Sequence, residues 1–213
     1  MSLADMRRDY ARSALHESAA GLDPFALFHA WFRDAQESSG EANACVLATV
    51  DGHSRPAARV VLCKGIEDGA FRFFTNLDSR KARDIARHPG VALCFHWQEL
   101  ERQVRIEGRA ELLPRSVVER YFRSRPRTSQ LGAWASPQSR IIPSRDVLED
   151  AFGSLEVVHA RGEVPVPPHW GGFAVIPELI EFWQGRPSRL HDRLCYCRDA
   201  AEACGWRRER LAP

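Results

Sequence analysis

Three arginines, a histidine and an aspartate are concentrated in the segment from Trp183 to Arg193. An apolar run at 179–183 precedes the turn residues Gly185 and Pro187, and a second apolar run at 194–196 follows, which predicts a hairpin. A connection that only reverses the chain usually contains a few small polar residues. Guanidinium groups and a titratable imidazole beside an indole ring are instead suited to binding an anionic aromatic molecule. The alternative is a solvated, arginine-rich hairpin.

Two earlier segments combine cations with hydroxyl groups. Ser79-Arg80-Lys81 stands at the predicted start of a helix, where free backbone N–H groups and the helix dipole favour an anion such as phosphate. Tyr121, Arg125 and Ser129 are spaced by four residues, with Pro126 interrupting the helix, and they offer a cation and two hydroxyls for a second phosphate. The alternatives are solvated cations in the first case and a helix C-terminus that carries an arginine in the second.

Arg59 and Lys64 bracket a predicted strand. Five residues apart on a strand, their side chains project to opposite faces about 17 Å apart, so they would contact different parts of a ligand or different ligands. Gln103 and Gln138-Ser139 add amide and hydroxyl groups that could hydrogen-bond a heterocycle. Since the chain has neither a Gly-x-Gly-x-x-Gly motif nor a Walker loop, Rossmann and P-loop nucleotide binding are not predicted.

Composition and charge are ordinary for a globular protein of 213 residues, with 44% hydrophobic and 27% charged residues. A net charge of +2 indicates neither nucleic acid nor a membrane surface as a partner. The N-terminus lacks the apolar core of a signal peptide, and no apolar run approaches the ~20 residues of a membrane span, so we expect a cytoplasmic protein with free thiols. Cys195, Cys197 and Cys204 are not accompanied by a second pair of cysteines at the spacing of metal ligands. We therefore interpret Cys195 and Cys197 as two thiols on one face of a strand rather than as a metal site.

The elements that must position these side chains follow a β-rich pattern. Asp23-Pro24 predicts the start of a helix over 24–37. Five short apolar runs separated by turns, with one brief helix at 80–88 between them, predict strands of a closed antiparallel barrel at 45–50, 57–63, 70–75, 91–95 and 104–112. Helices are predicted from Pro114, at 129–135, and from a Ser144 cap to about Ala160, followed by strands at 172–176, 179–183, 194–197 and near Trp206. We expect one domain over 23–213 and a mobile arm over 1–22 that could close over a ligand.

In the same order along nearly the whole chain, these segments resemble the pyridoxamine/pyridoxine 5′-phosphate oxidase family. The longest matching stretches are Phe73–Lys81 and Tyr121–Trp134, and shorter ones lie at 59–64, 100–104, 138–139, 170–173, 180–185, 189–193 and 210–213. The resemblance implies a fold that is mainly β with α: an FMN-binding split β-barrel with helices packed around it. It also implies a homodimer in which each flavin is held between the subunits.

Carried over residue by residue, the resemblance implies two sets of ligand contacts. The set for FMN comprises Arg59, Val60, Val61, Leu62, Cys63, Lys64, Phe74, Thr75, Arg80, Lys81, Gln103, Gln138, Ser139, Trp183 and Arg193. The set for the substrate comprises Lys64, Tyr121, Arg125 and Ser129 at the phosphate, Arg189, Leu190 and His191 at the pyridine ring, and Arg7 and Tyr10 closing over it. Arg189 and His191 are the implied catalytic pair, and they position the substrate rather than transfer protons. Two departures are Phe74, where the family often has tyrosine, and the proline in Arg186-Pro187-Ser188.

The implied reaction is oxidation of pyridoxamine 5′-phosphate and pyridoxine 5′-phosphate to pyridoxal 5′-phosphate. A hydride passes from C4′ of the substrate to N5 of FMN, and dioxygen becomes hydrogen peroxide. No metal is implied. One alternative is a related flavin oxidase with another substrate, such as a phenazine precursor; another is a non-catalytic split barrel that binds flavin or haem. Retention of the Arg125–Ser129 stretch favours the phosphorylated vitamer.

Overall fold

The computed structural model describes residues 2, 5, 9–38 and 40–213. Arg7, which was predicted to close over the substrate, lies outside the described residues. The helices are α1 (Glu17–Ala20), α2 (Pro24–Ser38), α3 (Arg80–Arg87), α4 (Arg115–Ser124), α5 (Arg127–Ala135) and α6 (Asp146–Val158). The strands are β1 (Ala44–Val50), β2 (Pro56–Leu62), β3 (Gly65–Glu67), β4 (Ala70–Asn76), β5 (Gly90–Trp97), β6 (Arg102–Leu112), β7 (Trp170–Gln184), β8 (Asp192–Arg198) and β9 (Trp206–Arg210).

The strands of the described residues form one antiparallel sheet in the order β2-β1-β5-β6-β7-β4-β3, with β8 paired to β7 and β9 to β8. The two ends of this order, β2 and β3, are consecutive in the chain. Cys63 still donates its N–H to Asn43, next to β1, whereas Lys64 donates to Arg72 on β4. The prediction of a closed antiparallel barrel is therefore wrong in one respect. Between β2 and β3, the two ends of the sheet are joined by the chain itself, at Cys63–Lys64. Lys64 consequently lies beyond β2 rather than on it, and β3 was not predicted.

The longest strand corrects a second prediction. Residues 172–176 and 179–183 were expected to be separate strands, but β7 runs through Pro177 without a break. A register shift opposite, between Glu107 and Gly108 of β6, accommodates the proline, which cannot donate to a ladder. Gly108 is required there, since a Cβ atom would lie 2.1 Å from the carbonyl oxygen of Ile176.

Helix α2 closes the barrel core as its sequence predicts. Asp23 caps it by accepting a hydrogen bond from the Phe25 N–H at 2.9 Å. Its apolar face buries Phe28, Trp31 and Ala35 in a single core with the inward-facing side chains of the sheet. By contrast, Ser144 does not cap α6: its hydroxyl bonds the side chain of Asp146 instead, and the N-cap position is Arg145.

The described part of the N-terminal arm packs on this body. Leu15 and Ala20 are 3% and 4% exposed and belong to the same core as the barrel. The buried Tyr196 hydroxyl donates to the carbonyl oxygens of Ala20 and Gly21. Mobility of the arm and the boundary at residue 22 remain predictions.

Candidate cofactor and substrate site

The start of α3 collects five of the side chains that the sequence singled out. Lys81 Nζ donates to Thr75 Oγ1 and to Gln138 Oε1, both at 3.1 Å. Ser139 Oγ accepts the backbone N–H of Arg80 at 3.2 Å. Segments about 60 residues apart in the chain, at the end of β4 and after α5, therefore meet at one helix N-terminus. Ser79 caps this helix, as predicted, with its hydroxyl 3.4 Å from the Ala82 N–H.

Arg59 adds a third cation to this cluster. Its Nη1 donates to Thr49 Oγ1 at 2.7 Å and to the carbonyl oxygen of Leu47 at 3.1 Å. Burial lowers the pKa of Arg59, and the nearby Arg80 lowers it further against the opposing effect of Asp84. Burial and then the charge of Arg59 likewise lower the pKa of Lys81. Mutual repulsion among partly buried cations is relieved when an anion binds between them.

The buried carboxylate of Asp84 lies 3.9 Å from both Arg59 and Arg80, and it accepts the Thr49 hydroxyl at 3.0 Å. Sequence reasoning missed Thr49 and Asp84; the position of Asp84 four residues after Arg80 on α3 was the available signal. One carboxylate cannot neutralise three cations. The donor set therefore fits the phosphate of FMN: two guanidinium groups, one ammonium, hydroxyls and helix N–H groups.

A second group surrounds a cavity of about 280 Å³ between β4 and α4. Lys64, Phe74 and Tyr121 line it, and the rings of Phe74 and Tyr121 stack with centroids 3.8 Å apart. Burial raises the pKa of Tyr121, which keeps its hydroxyl protonated and able to donate. This stacking does not use a hydroxyl at position 74, so the departure to phenylalanine leaves the wall of the cavity intact.

Arg125, the C-cap residue of α4 and an electrostatic neighbour of Tyr121, has unused hydrogen-bonding capacity. Its guanidinium lies over the indole of Trp170, 4.2 Å from the ring centroid. Its Nη1 is buried and has no hydrogen-bond partner among the described residues. Burial lowers its pKa. An unpaired buried donor is costly, so this nitrogen is suited to an incoming anion. Ser129, half-buried in the first turn of α5, follows one turn later.

A third group crosses the sheet at the far end of β7. Gln103, Trp183 and Arg193 are direct cross-strand neighbours on β6, β7 and β8, so their side chains share one face. Arg193 donates to both carboxylate oxygens of the buried Glu181, at 2.8 and 3.1 Å, and this hydrogen bonding raises the pKa of Arg193. The remaining Nη1 donates to the carbonyl oxygen of Ala212. Arg193 is thus held rigidly beside Trp183.

The hairpin after β7 places His191 against Trp183, with ring centroids 4.7 Å apart. Its Nδ1 accepts the Arg186 N–H at 3.1 Å, so in the neutral ring the proton lies on Nε2. Burial and then the charge of Arg189 lower the pKa of His191, which favours that neutral form. Ser188 and Arg189 adopt left-handed φ angles of 57° and 62°, a strained conformation for two successive non-glycine residues. Leu190 and the Arg189 side chain are exposed.

The cationic cluster at α3 and the group formed by Gln103, Trp183 and Arg193 lie at opposite ends of β7. Thr75 pairs with Gly171, near the start of the strand, whereas Gln103 and Arg193 flank Trp183 near its end. The two positions are separated by about 40 Å of extended strand, far more than the length of one FMN molecule. Among the described residues, no hydrogen bond, ion pair or ring contact joins the two groups. A single flavin could contact both groups only if two chains contribute to the site.

Two family models match the chain. One, described as pyridoxamine 5′-phosphate oxidase, matches residues 33–159, and the other, described as the pyridoxine 5′-phosphate oxidase C-terminal dimerisation region, matches residues 170–213. The chain belongs to the pyridoxamine 5′-phosphate oxidase family. This assignment confirms the resemblance found in the sequence, and it supports FMN as the cofactor and a flavin-dependent oxidoreductase activity. The dimerisation region contains Trp183, His191 and Arg193, which supports a homodimer.

Relatives show how far the similarity extends. A Burkholderia cenocepacia (strain HI2424) protein named pyridoxine/pyridoxamine 5′-phosphate oxidase is 53% identical over 213 residues, covering 100% of this chain and 99% of that protein. The structure of PhzG from Burkholderia lata 383, in complex with tetrahydrophenazine-1-carboxylic acid, aligns with a TM-score of 0.87 at 27% identity, covering 95% of this chain and 100% of PhzG. An FMN-binding protein from Nostoc punctiforme shares the fold, with a TM-score of 0.73 at 20% identity over 91% of this chain and 99% of that one. The split-barrel fold is therefore confirmed.

Among the residues that the structure describes, no helix is long and apolar enough to cross a membrane. In the same part of the chain, no three histidine, cysteine or acidic side chains are grouped to hold a metal ion. Cys195 and Cys197 lie side by side on β8 with sulfur atoms 3.8 Å apart, as neighbours on one strand face do.

Proposed function

We propose that this protein is an FMN-dependent oxidase that converts pyridoxamine 5′-phosphate and pyridoxine 5′-phosphate to pyridoxal 5′-phosphate, with dioxygen reduced to hydrogen peroxide. The observation that carries the proposal is a second anion site, distinct from the cluster at α3. Lys64 and Tyr121 line its cavity, and Arg125, an electrostatic neighbour of Tyr121, has a buried nitrogen with no partner among the described residues. FMN has a single phosphate, so the second site needs a phosphate from the substrate.

The residues at the two ends of β7 would act from different subunits. Arg59, Arg80 and Lys81 of one subunit would hold the FMN phosphate, while Gln103 and Trp183 of the other would contact its ring. In this arrangement each active site lies at the interface between the subunits, and the two-fold axis of the dimer relates two such sites.

When bound, FMN would supply the redox chemistry, namely two-electron oxidation of the substrate at C4′ with dioxygen as the final electron acceptor. The chain's own part is orientation. Lys64, Tyr121 and Arg125 would fix the phosphate end of the substrate through charge-assisted hydrogen bonds, which take the place of bonds to water. His191 would donate from Nε2 to a polar group of the pyridine ring, since its Nδ1 is occupied by the Arg186 N–H. The exposed Arg189 guanidinium is free to cover the ring from outside.

The structural similarity to PhzG supports a second candidate, a flavin oxidase acting on a phenazine precursor. The PhzG complex contains a tricyclic carboxylic acid rather than a phosphate ester. The carboxylate of such a substrate carries one charge and two oxygens, so it would use the cations and hydroxyls of Lys64, Tyr121 and Arg125 less fully than a phosphate dianion would. The phosphate preference of the enzyme therefore distinguishes the two candidates.

The deciding experiment measures peroxide release by the FMN-loaded protein with pyridoxamine 5′-phosphate and with unphosphorylated pyridoxamine. We expect kcat/KM to be about 10³-fold higher for the phosphorylated form, because binding energy at the phosphate orients C4′ over the flavin. Equal activity on both forms would contradict the vitamer assignment. Turnover of tetrahydrophenazine-1-carboxylic acid, with none of pyridoxamine 5′-phosphate, would establish the second candidate.

A further inference from the structure

The carboxylate of Asp192 contacts three separate segments. Oδ2 accepts the backbone N–H of Leu15, in the N-terminal arm, at 3.0 Å. Oδ1 accepts from Arg210 Nη1, on β9, at 2.8 Å, and Arg186 Nε of the hairpin lies 3.5 Å from Oδ2. The Asp192 side chain is only 17% exposed. A single acid therefore connects the arm, the C-terminal strand and the hairpin that contains His191.

Further bonds tighten the same connection. Arg210 donates to both carboxylate oxygens of Glu17, at 2.5 and 2.9 Å, and to the carbonyl oxygen of Leu15 at 2.8 Å. Arg186 donates to the carbonyl oxygen of Ser13 at 3.0 Å. Asp192 lies between the two arginines and offsets part of their charge. Among the described residues, the only other carboxylate bonded to either arginine is that of Glu17, which accepts from Arg210.

The consequence of this connection is the position of Tyr10. Its ring packs edge-on against Trp183 and against His191, with centroids 5.7 Å away in both cases. It also lies directly on Gly185, where a Cβ atom would come within 2.8 Å of Tyr10 Cγ. Only glycine at position 185 leaves room for the ring. Tyr10 thereby covers the face of His191 that the hairpin leaves open.

We propose that Asp192 is a positioning residue that fixes the arm so that Tyr10 closes the substrate pocket over His191. The proposal rests on the proposed function for the identity of the molecule in the pocket. The positioning itself depends only on the contacts of Asp192. Arg12 is held separately, since its N–H donates to Glu101 and its guanidinium donates to the carbonyl oxygen of Glu99. Loss of the charge-assisted bond from Asp192 therefore loosens the arm around Leu15, on the C-terminal side of Tyr10, without detaching it completely.

The first test is hydrogen exchange of the FMN-loaded dimer, without substrate, in Asp192→Asn. We expect backbone amides at residues 13–15 to exchange about tenfold faster or more, while the Arg12 amide, which donates to Glu101, and the rest of the protein are unchanged. The matched control is Asp199→Asn, since Asp199 also pairs with an arginine of β9, Arg207 at 3.4 Å, but does not contact the arm. Unchanged exchange in Asp192→Asn would overturn the proposal.

The second test separates closure from simple loss of structure. In Asp192→Asn we expect KM for pyridoxamine 5′-phosphate to rise about tenfold while FMN affinity, measured by flavin fluorescence, is unchanged. Gly185→Ala should raise KM similarly by displacing Tyr10, yet leave the Leu15 amide protected, since Asp192 is intact. A parallel loss of FMN affinity in Asp192→Asn would show a merely structural role and refute the proposal. If the unmodified enzyme does not oxidise pyridoxamine 5′-phosphate, the proposed function fails, and the exchange result still decides the role of Asp192.

Discussion

Replacement of Arg125 by methionine tests the second anion site, because binding and structural roles predict different effects on stability. Methionine removes a buried nitrogen that has no partner, which should stabilise the protein by about 1–3 kcal/mol. It also removes the cation–π contact with Trp170, which should cost about 0.5–2 kcal/mol. The two terms oppose each other, so the free energy of unfolding should change by about 1 kcal/mol or less. A half-buried arginine with only a structural role would instead cost about 3 kcal/mol or more on removal.

The effect on activity should be large and selective. A guanidinium contributing two charge-assisted hydrogen bonds to a phosphate dianion, at about 1.5–3 kcal/mol each, supplies about 3–6 kcal/mol. Its loss should lower kcat/KM for pyridoxamine 5′-phosphate by about 10²- to 10⁴-fold. Pyridoxamine has no phosphate to lose contact with, so its kcat/KM should change little, and the preference for the phosphorylated form should collapse.

The assay combines peroxide release on both substrates with thermal unfolding of the FMN-loaded protein. Arg123→Met is the matched control, since Arg123 lies in the last turn of α4, two residues before Arg125 at the C-cap, but is exposed. The control should keep both the substrate preference and the melting temperature. A preserved preference in Arg125→Met, or a fall in Tm of much more than about 4 °C, would refute the reasoning.

Three further predictions follow from the site. Changing Arg80 and Lys81 together to alanine should weaken FMN binding by several kcal/mol, because each charge-assisted bond contributes about 1.5–3 kcal/mol. Unchanged affinity in a flavin titration would contradict an FMN phosphate site at α3. Mixing Arg125→Met chains with Arg189→Ala chains should restore about a quarter of wild-type activity. Half of the dimers then contain one chain of each kind, and in a shared site one of their two active sites has both arginines. No recovery of activity would exclude a shared site. Burial and Arg189 hold the pKa of His191 below its usual 6.5, so the unfolded chain binds the proton more tightly. Stability should therefore fall as pH decreases from 6.5 towards the lowered pKa, and calorimetry should show that His191→Gln removes this part of the dependence.

The sequence by itself determined the elements whose signals are local. Asp23-Pro24 set the start of α2, and Ser79 set the start of α3, because capping depends on residues within one turn. Pro126 separated α4 from α5 as predicted. The order and spacing of the matching segments were also enough to identify the family, which the comparisons confirm. Individual ligand contacts for these residues remain predictions.

Only the tertiary structure decided what surrounds the cations. Thr49 and Asp84 under Arg59, Trp170 beneath Arg125 and Glu181 beside Arg193 are partners from other parts of the sheet or its flanking helices. No local pattern in the sequence indicates such pairs, since their distance in the chain carries no information about their distance in space. The same holds for the bond from Asp192 to Leu15, 177 residues away.

The continuity of β7 is the clearest case. Pro177 is a local signal for a break, but the bulge opposite it in β6 and the missing side chain of Gly108 allow the ladder to continue. As a result, Thr75, which pairs with Gly171, and Trp183 lie at opposite ends of one continuous strand rather than folded together. All of these residues are present in the sequence. Only the length of the uninterrupted strand indicates that a flavin contacting both groups would have to lie between two copies of the chain.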